Sequence, residues 1–180
     1  MGGADDPDHA LIDAAKNWLA IDGLWFLAIE EEFGLDRALK FDRQVWEKFS
    51  VIEARRIMQR LRLPVNGGLD CLEAALPHRL FHLLNKQEIH RPDPRTLLLY
   101  VRTCRTQAAR ERKNLPLFPC KEIGITDYSR FAATIDPRIR TECLTCPPDP
   151  PAGGCCCAWK FTSSPRGGVI CNKWGRVYDR

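Results

Sequence analysis

Up to about residue 90 the apolar side chains of this 180-residue chain recur at helical spacing, and beyond Arg91-Pro92-Asp93-Pro94 they gather in short, strand-like runs. A chain that changes period once, at a proline pair, is constrained to a helical part followed by a part that contains a sheet. In the first part, Leu11, Ala14, Ala15, Trp18, Leu19, Trp25, Phe26 and Ile29 mark a helix from His9 to about Phe33. Gly23 interrupts it and is expected to mark a bend or a close packing contact. Gly34 fits a helix C-cap and Asp36 the N-cap of the next helix. That second helix carries Leu39, Val45, Trp46, Phe49, Ile52, Ile57 and Leu61 and stops before Pro64. Asn66-Gly67-Gly68 reads as a turn, and Asp70 to Asn85 as a third helix that Pro77 kinks or splits.

In the second part, Leu97 to Thr103 reads as a strand ending at Cys104, and Arg105 to Lys113 as a polar, helix-compatible stretch. A proline-bounded loop then delivers Cys120, and Thr126 to Ile135 reads as a short helix. Two further strands follow, Arg138 to Cys143 and Cys156 to Thr162, separated by the proline-rich loop Pro147 to Gly154. The expected fold class is α+β, an N-terminal helical segment followed by a small antiparallel sheet with helices on one face. The expected organisation is a flexible N-terminus over residues 1–9, a helical segment over 10–90, a cysteine-rich segment over 91–162 sharing one core with it, and a tail over 163–180.

Composition excludes several classes. The net charge of +4 is mild and the arginines are scattered among apolar positions, so no basic stripe points to nucleic acid. No apolar run approaches the ~20 residues that span a bilayer. The first residues lack a basic start followed by an apolar stretch. The expectation is therefore a cytoplasmic, reducing setting in which structural disulfides do not persist.

In that setting the 9 cysteines need another explanation, and their odd number argues against a fully paired disulfide framework. Five of them punctuate the ends of the expected elements: Cys104, Cys120, Cys143, Cys146 and Cys157. The Cys143-Leu144-Thr145-Cys146 spacing lets two thiolates reach one metal from a single turn, and strand ends meeting at one sheet edge supply the others. Zinc takes four thiolates tetrahedrally, and iron–sulfur clusters use the same ligand. The competing readings are a redox dithiol of Cys143 and Cys146, and ordinary buried cysteines. Cys155, Cys156 and Cys157 cannot all serve one metal, because adjacent strand side chains point to opposite faces. Cys71 and Cys171 have no cysteine nearby in sequence and are read as non-ligands.

Other polar residues are candidates in the helical part. Glu53 and Arg56, three apart, are expected to pair on a helix surface; a buried Glu53 would instead be an acid–base candidate, as would Asp22 beside Gly23-Leu24-Trp25-Phe26. His78 and His82, four apart, read as a helix-surface pair without a third ligand. Trp18, Trp25, Phe26 and Trp46 are read first as core, with a ligand-stacking cage as the functional alternative.

The stretches Lys16-Asn17-Trp18-Leu19-Ala20, Asp22-Gly23-Leu24-Trp25-Phe26, Ile52-Glu53-Ala54-Arg55-Arg56, Cys104-Arg105-Thr106-Gln107, Phe118-Pro119-Cys120-Lys121, Ile135-Asp136-Pro137-Arg138, Cys143-x-x-Cys146-Pro147-Pro148-Asp149 and Cys157-Ala158-Trp159-Lys160-Phe161 carry a resemblance. Over residues 10–162 the chain resembles an uncharacterised prokaryotic family of cytosolic proteins. That resemblance selects Cys157 from its run of three. More distantly, the architecture resembles that of L-2-amino-thiazoline-4-carboxylate hydrolase-like proteins, which have a helical part followed by a small sheet with late cysteines. It implies ring opening of a small cysteine-derived heterocycle. The chain departs from the first family at Pro150 to Gly154, which lead into Cys155 and Cys156, and its tail after Thr162 matches nothing in it.

Three functions follow as expectations. The first is a soluble protein whose cysteines hold zinc or an iron–sulfur cluster beside an aromatic pocket for a small molecule. The second is a hydrolase of a thiazoline carboxylate-like compound, with Glu53 or Asp22 as acid–base group and structural cysteines. The third is a non-catalytic module in which the helices pack into a homodimer.

Overall fold

The computed structural model describes residues 7–150, 153–163, 170–171 and 177–178. Two 27-residue helices open the chain, α1 (Pro7–Phe33) and α2 (Leu35–Leu61), and they form a hairpin about Gly34. Gly34 has φ 83°, a left-handed conformation that costs a glycine nothing, and lies between the two helices with no helical residue of its own. Gly34 therefore also occupies the N-cap position expected of Asp36, which falls in the first turn of α2. Gly23 does not interrupt α1.

The third helix is split at Pro77, as its lack of an N–H requires. The pieces are α3 (Gly68–Ala75), a 3-10 turn over Leu76–His78, and α4 (Leu80–Leu84). Next come β1 (Lys86–Asp93), β2 (Thr96–Thr103), α5 (Arg105–Arg112), α6 (Lys121–Ile135), β3 (Arg140–Thr145) and β4 (Cys157–Thr162). A two-residue pair, β5 (Ile170–Cys171) with β6 (Val177–Tyr178), completes the described elements. The remainder of the expected tail and the start of the N-terminal segment lie outside the described residues.

The sheet has four strands in the order β1-β2-β4-β3, every pair antiparallel. One strand more is present than the sequence pattern gives. Lys86–Asp93 falls between the third helix, expected to end at Asn85, and the proline break, and Lys-Gln-Glu-Ile-His-Arg-Pro-Asp has no apolar alternation to mark a strand. It is an edge strand, where polar side chains and a proline are tolerated since one side of the backbone is left unpaired. The helix expected from Thr126 begins five residues earlier, at Lys121, and that shift matters for the site.

Alternation fixes which face of the sheet is covered. Leu97, Leu99 and Val101 on β2 are buried, and Leu97 and Leu99 pair with Phe161 and Trp159 of β4 on the same face. Against that face lie Phe131, Ala132 and Ile135 of α6, then Ala54, Ile57 and Met58 of α2 with Leu72 and Leu76. One apolar core thus draws on both halves of the chain. A second, smaller cluster is aromatic: Trp46, Phe118 and Ile123 with Trp18, Phe26, Phe49 and Phe81 packed against it. Trp18 stacks on Phe49 at 5.7 Å and Trp46 on Phe81 at 5.4 Å. Trp25, expected with these rings as core or cage, is 68% exposed and takes no part. Among the described residues no helix is long and apolar enough to cross a membrane.

Candidate functional site

Four thiols reach one region because four different elements end there. Cys104 follows β2 as the N-cap of α5, Cys120 is the N-cap of α6, Cys146 follows β3, and Cys157 opens β4. Local hydrogen bonds fix each approach. Gln107 clamps the loop before α6, its amide donating to the Phe118 carbonyl at 2.8 Å and accepting from the Phe118 N–H at 2.9 Å. The same amide reaches the Cys120 Sγ at 3.5 Å. The turn after β3 is tied to the start of α6 by the Lys121 N–H donating to the Pro147 carbonyl at 2.9 Å and by Lys121 Nζ on Asp149 at 2.9 and 3.0 Å. This clamp needs α6 to begin at Lys121, and it brings Cys146 beside Cys120.

The Sγ atoms of Cys120 and Cys146 are 3.5 Å apart. The Trp159 indole N–H donates to the Cys157 Sγ at 3.3 Å. Trp159 itself sits against Gly124 of α6, where a Cβ would lie 2.7 Å from the indole ring, so only glycine allows this approach. The hydrogen bond from Cys146 draws the Cys120 thiol below its ordinary pKa. The converse holds for Cys146, which its hydrogen bonds with Cys120 and Cys157 keep protonated. Burial pushes the Cys104 thiol up to about 11, with the nearby Cys120 and Cys157 adding to the effect.

These four cysteines line one cavity of about 460 Å³, within the size range of small-molecule sites. Its other walls come from α1, α2, α4, α5 and α6, with Val101 of β2, Trp159 of β4 and the loop before α6. Phe26, Trp46, Phe81 and Phe118 supply aromatic faces, and Asp22 and Asp42 supply carboxylates. Burial raises Asp22 above the usual carboxylate range. Asp42 is pushed up to about 7, by burial first and by Asp22 second, against a hydrogen bond from Trp46. Exposed Arg105, Arg112 and Lys113 stand at the rim.

The remaining sequence candidates fall elsewhere. Cys143 is half-buried on β3 outside the cavity wall, and burial pushes its thiol up to about 11. Cys155 and Cys156 are also off the wall, with the Cys156 Sγ near the Arg102 carbonyl at 3.6 Å. Cys71 is buried in the main core and disulfide-bonded, against the expectation that structural disulfides are absent. Glu53 does not pair with Arg56, which is exposed. It is buried and bound by Arg79, whose Nε donates to it at 2.8 Å, and by the Leu80 N–H at 3.2 Å. Arg79 also donates to Asp127 at 2.7 Å, and Ser50 donates to the same oxygen at 2.6 Å. His78 is exposed and His82 lies 3.2 Å from Gln87, so the pair binds nothing jointly.

Among the described residues no three His, Cys, Asp or Glu side chains converge, as they stand, on a point that could hold a metal ion. The sequence reading missed Asp42 and Gln107. Asp42 falls among charged helix residues and Gln107 in a polar stretch, and nothing in either spacing marks them out.

No curated protein and no solved structure matches the chain. Residues 4–163 do match a family, and the chain belongs to it: the family of unknown function DUF6125.

Proposed function

We propose that the protein binds a soft metal, zinc or an iron–sulfur cluster, through Cys104, Cys120, Cys146 and Cys157, and binds a small molecule in the cavity those thiols line. The observation that carries this reading is that four thiols from four separate elements line one largely apolar cavity. Thiols are weak hydrogen-bonding groups, so little is gained by gathering them for packing alone, whereas a thiolate metal centre needs this donor set. The Cys120–Cys146 separation of 3.5 Å is close to the edge of a tetrahedron with bonds of about 2.3 Å. Cys157 hydrogen-bonds Cys146, and Cys104 lies close enough to Cys120 and Cys157 to feel their charges. Metal binding would also deprotonate Cys146 and Cys104, whose thiols are otherwise held neutral.

A hydrolase remains the second reading, and one observation favours it. Asp22 lines the cavity and burial raises its proton affinity, as an acid–base group requires. Glu53, the other carboxylate considered, is committed to Arg79.

The test is purification without oxygen, with metal and acid-labile sulfide quantified per chain. Stoichiometric zinc or iron is expected, and it should fall at least severalfold in Cys146→Ser. Metal-free protein from such a preparation, or a Cys146→Ser variant that keeps its metal, would overturn the proposal.

A further inference from the structure

The cavity carries two carboxylates that the protein itself does not neutralise. Asp22 comes from α1 and Asp42 from α2; burial raises the proton affinity of both, Asp22 adds to the rise at Asp42, and among the described residues no cation offsets either. Among the described residues neither takes part in an ion pair. The contrast with the rest of the wall is sharp. Asp127, also on the cavity, is held by Arg79 and Ser50, and the cavity cations Lys16 and Arg110 are taken up by Asp13 at 2.9 Å and Glu30 at 2.8 Å. Arg105, Arg112 and Lys113 are exposed, and none of them is among the groups that shift either carboxylate.

The rings of Phe26, Trp46, Phe81 and Phe118 line the same cavity as these carboxylates. Phe26 meets Phe118 edge-on at 4.9 Å, and Trp46 stacks on Phe81 at 5.4 Å, so the rings are braced by one another. Aromatic faces attract cations through their quadrupole, most strongly where water is excluded. Asp22 and Asp42 are partly buried, and carboxylates withdrawn from water are normally paired. A ligand bearing positive charge satisfies both, and neither a neutral nor an anionic ligand does.

We infer that the small molecule this cavity takes is an organic cation, held by Asp22 and Asp42 and packed against Phe26, Trp46, Phe81 and Phe118. The volume of about 460 Å³ lies within the range of small-molecule sites. The inference rests on the reading of the cavity as a small-molecule site, and not on the metal.

The experiment compares three probes of one shape on the full-length protein: benzylammonium, benzyl alcohol and benzoate. Binding is followed by calorimetry and by the fluorescence of the tryptophans, of which Trp46 is in the wall. Benzylammonium is expected to bind at least tenfold more tightly than either of the others. In the Asp22→Asn, Asp42→Asn double variant that preference is expected to disappear. Equal or tighter binding of benzyl alcohol or benzoate to the unaltered protein overturns the inference without recourse to any variant. So does a folded double variant that keeps the preference. Measuring metal content on the same preparations separates the two proposals: cation-selective binding by metal-free protein sinks the metal and leaves this inference standing, and metal-loaded protein without cation selectivity does the reverse.

Discussion

Helix α2 carries carboxylates in two opposite situations. Glu53 and, across the interface with α6, Asp127 are buried and share the guanidinium of Arg79, with Ser50 and the Leu80 N–H completing their hydrogen bonds. Asp42, about 16 Å away along the helix axis, lines the cavity with, among the described residues, Trp46 donating to it and Asp22 opposing its charge. The first arrangement is self-sufficient and belongs to the scaffold. The second has no counter-ion among the described residues, and it is there that we infer an external cation binds. Burial alone does not distinguish them, because Glu53 is the more buried group and the less available one.

The comparison can be broken most forcefully at Arg79. Arg79→Met leaves two buried carboxylates without a counter-ion and should cost about 3–5 kcal/mol of stability, read from urea unfolding. Replacing Glu53 and Asp127 by their amides in the same chain should recover most of that loss. A loss under about 1 kcal/mol for Arg79→Met alone would mean that the network is not the structural tie described here.

Asp42 should behave in the opposite sense. Its folded pKa of about 7 lies above the unfolded value of 3.8, so between those pH values the unfolded chain releases the proton first. The native state accordingly loses stability as pH rises from the lower value to the higher and levels off above it. Asp42→Asn should therefore stabilise the protein at pH 8, by roughly 1–2 kcal/mol once partial solvent screening is allowed for, and make no difference below the unfolded pKa. A destabilised Asp42→Asn at pH 8 would contradict the account. Ser50→Ala sharpens the contrast at the smallest scale: loss of one hydrogen bond to Asp127 should cost about 1 kcal/mol at every pH from 5 to 8, with cavity binding unchanged.

Much of the fold was legible because it follows from local chemistry. The helical period, Gly34, Pro77 and the alternation Trp159/Phe161 each dictate a conformation without reference to the rest of the chain. Lys86–Asp93 was not legible, since an edge strand owes its existence to β2, its neighbour, and not to its own side chains. The same distinction runs through the site. Cys104, Cys120, Cys146 and Cys157 could be nominated from their positions at element ends, but Cys143, the other half of the Cys-x-x-Cys pair, falls outside the cavity wall. What decides between them is the clamp of Lys121 on Pro147 and Asp149, a tertiary contact between residues about 26 positions apart in sequence. Asp42 and Glu53 could not be ranked at all from the sequence, because the difference between them is Arg79, brought from another element.

The central claim is that the four cavity thiols act as ligands to one metal centre, and X-ray absorption at the zinc or iron edge of anaerobically purified protein tests it most directly. The account predicts a shell dominated by sulfur, at about 2.3 Å for zinc, which loses sulfur in Cys120→Ser and in Cys146→Ser and keeps it in Cys143→Ser. A shell of nitrogen and oxygen alone, or a sulfur shell that Cys143→Ser depletes and Cys120→Ser does not, would contradict it.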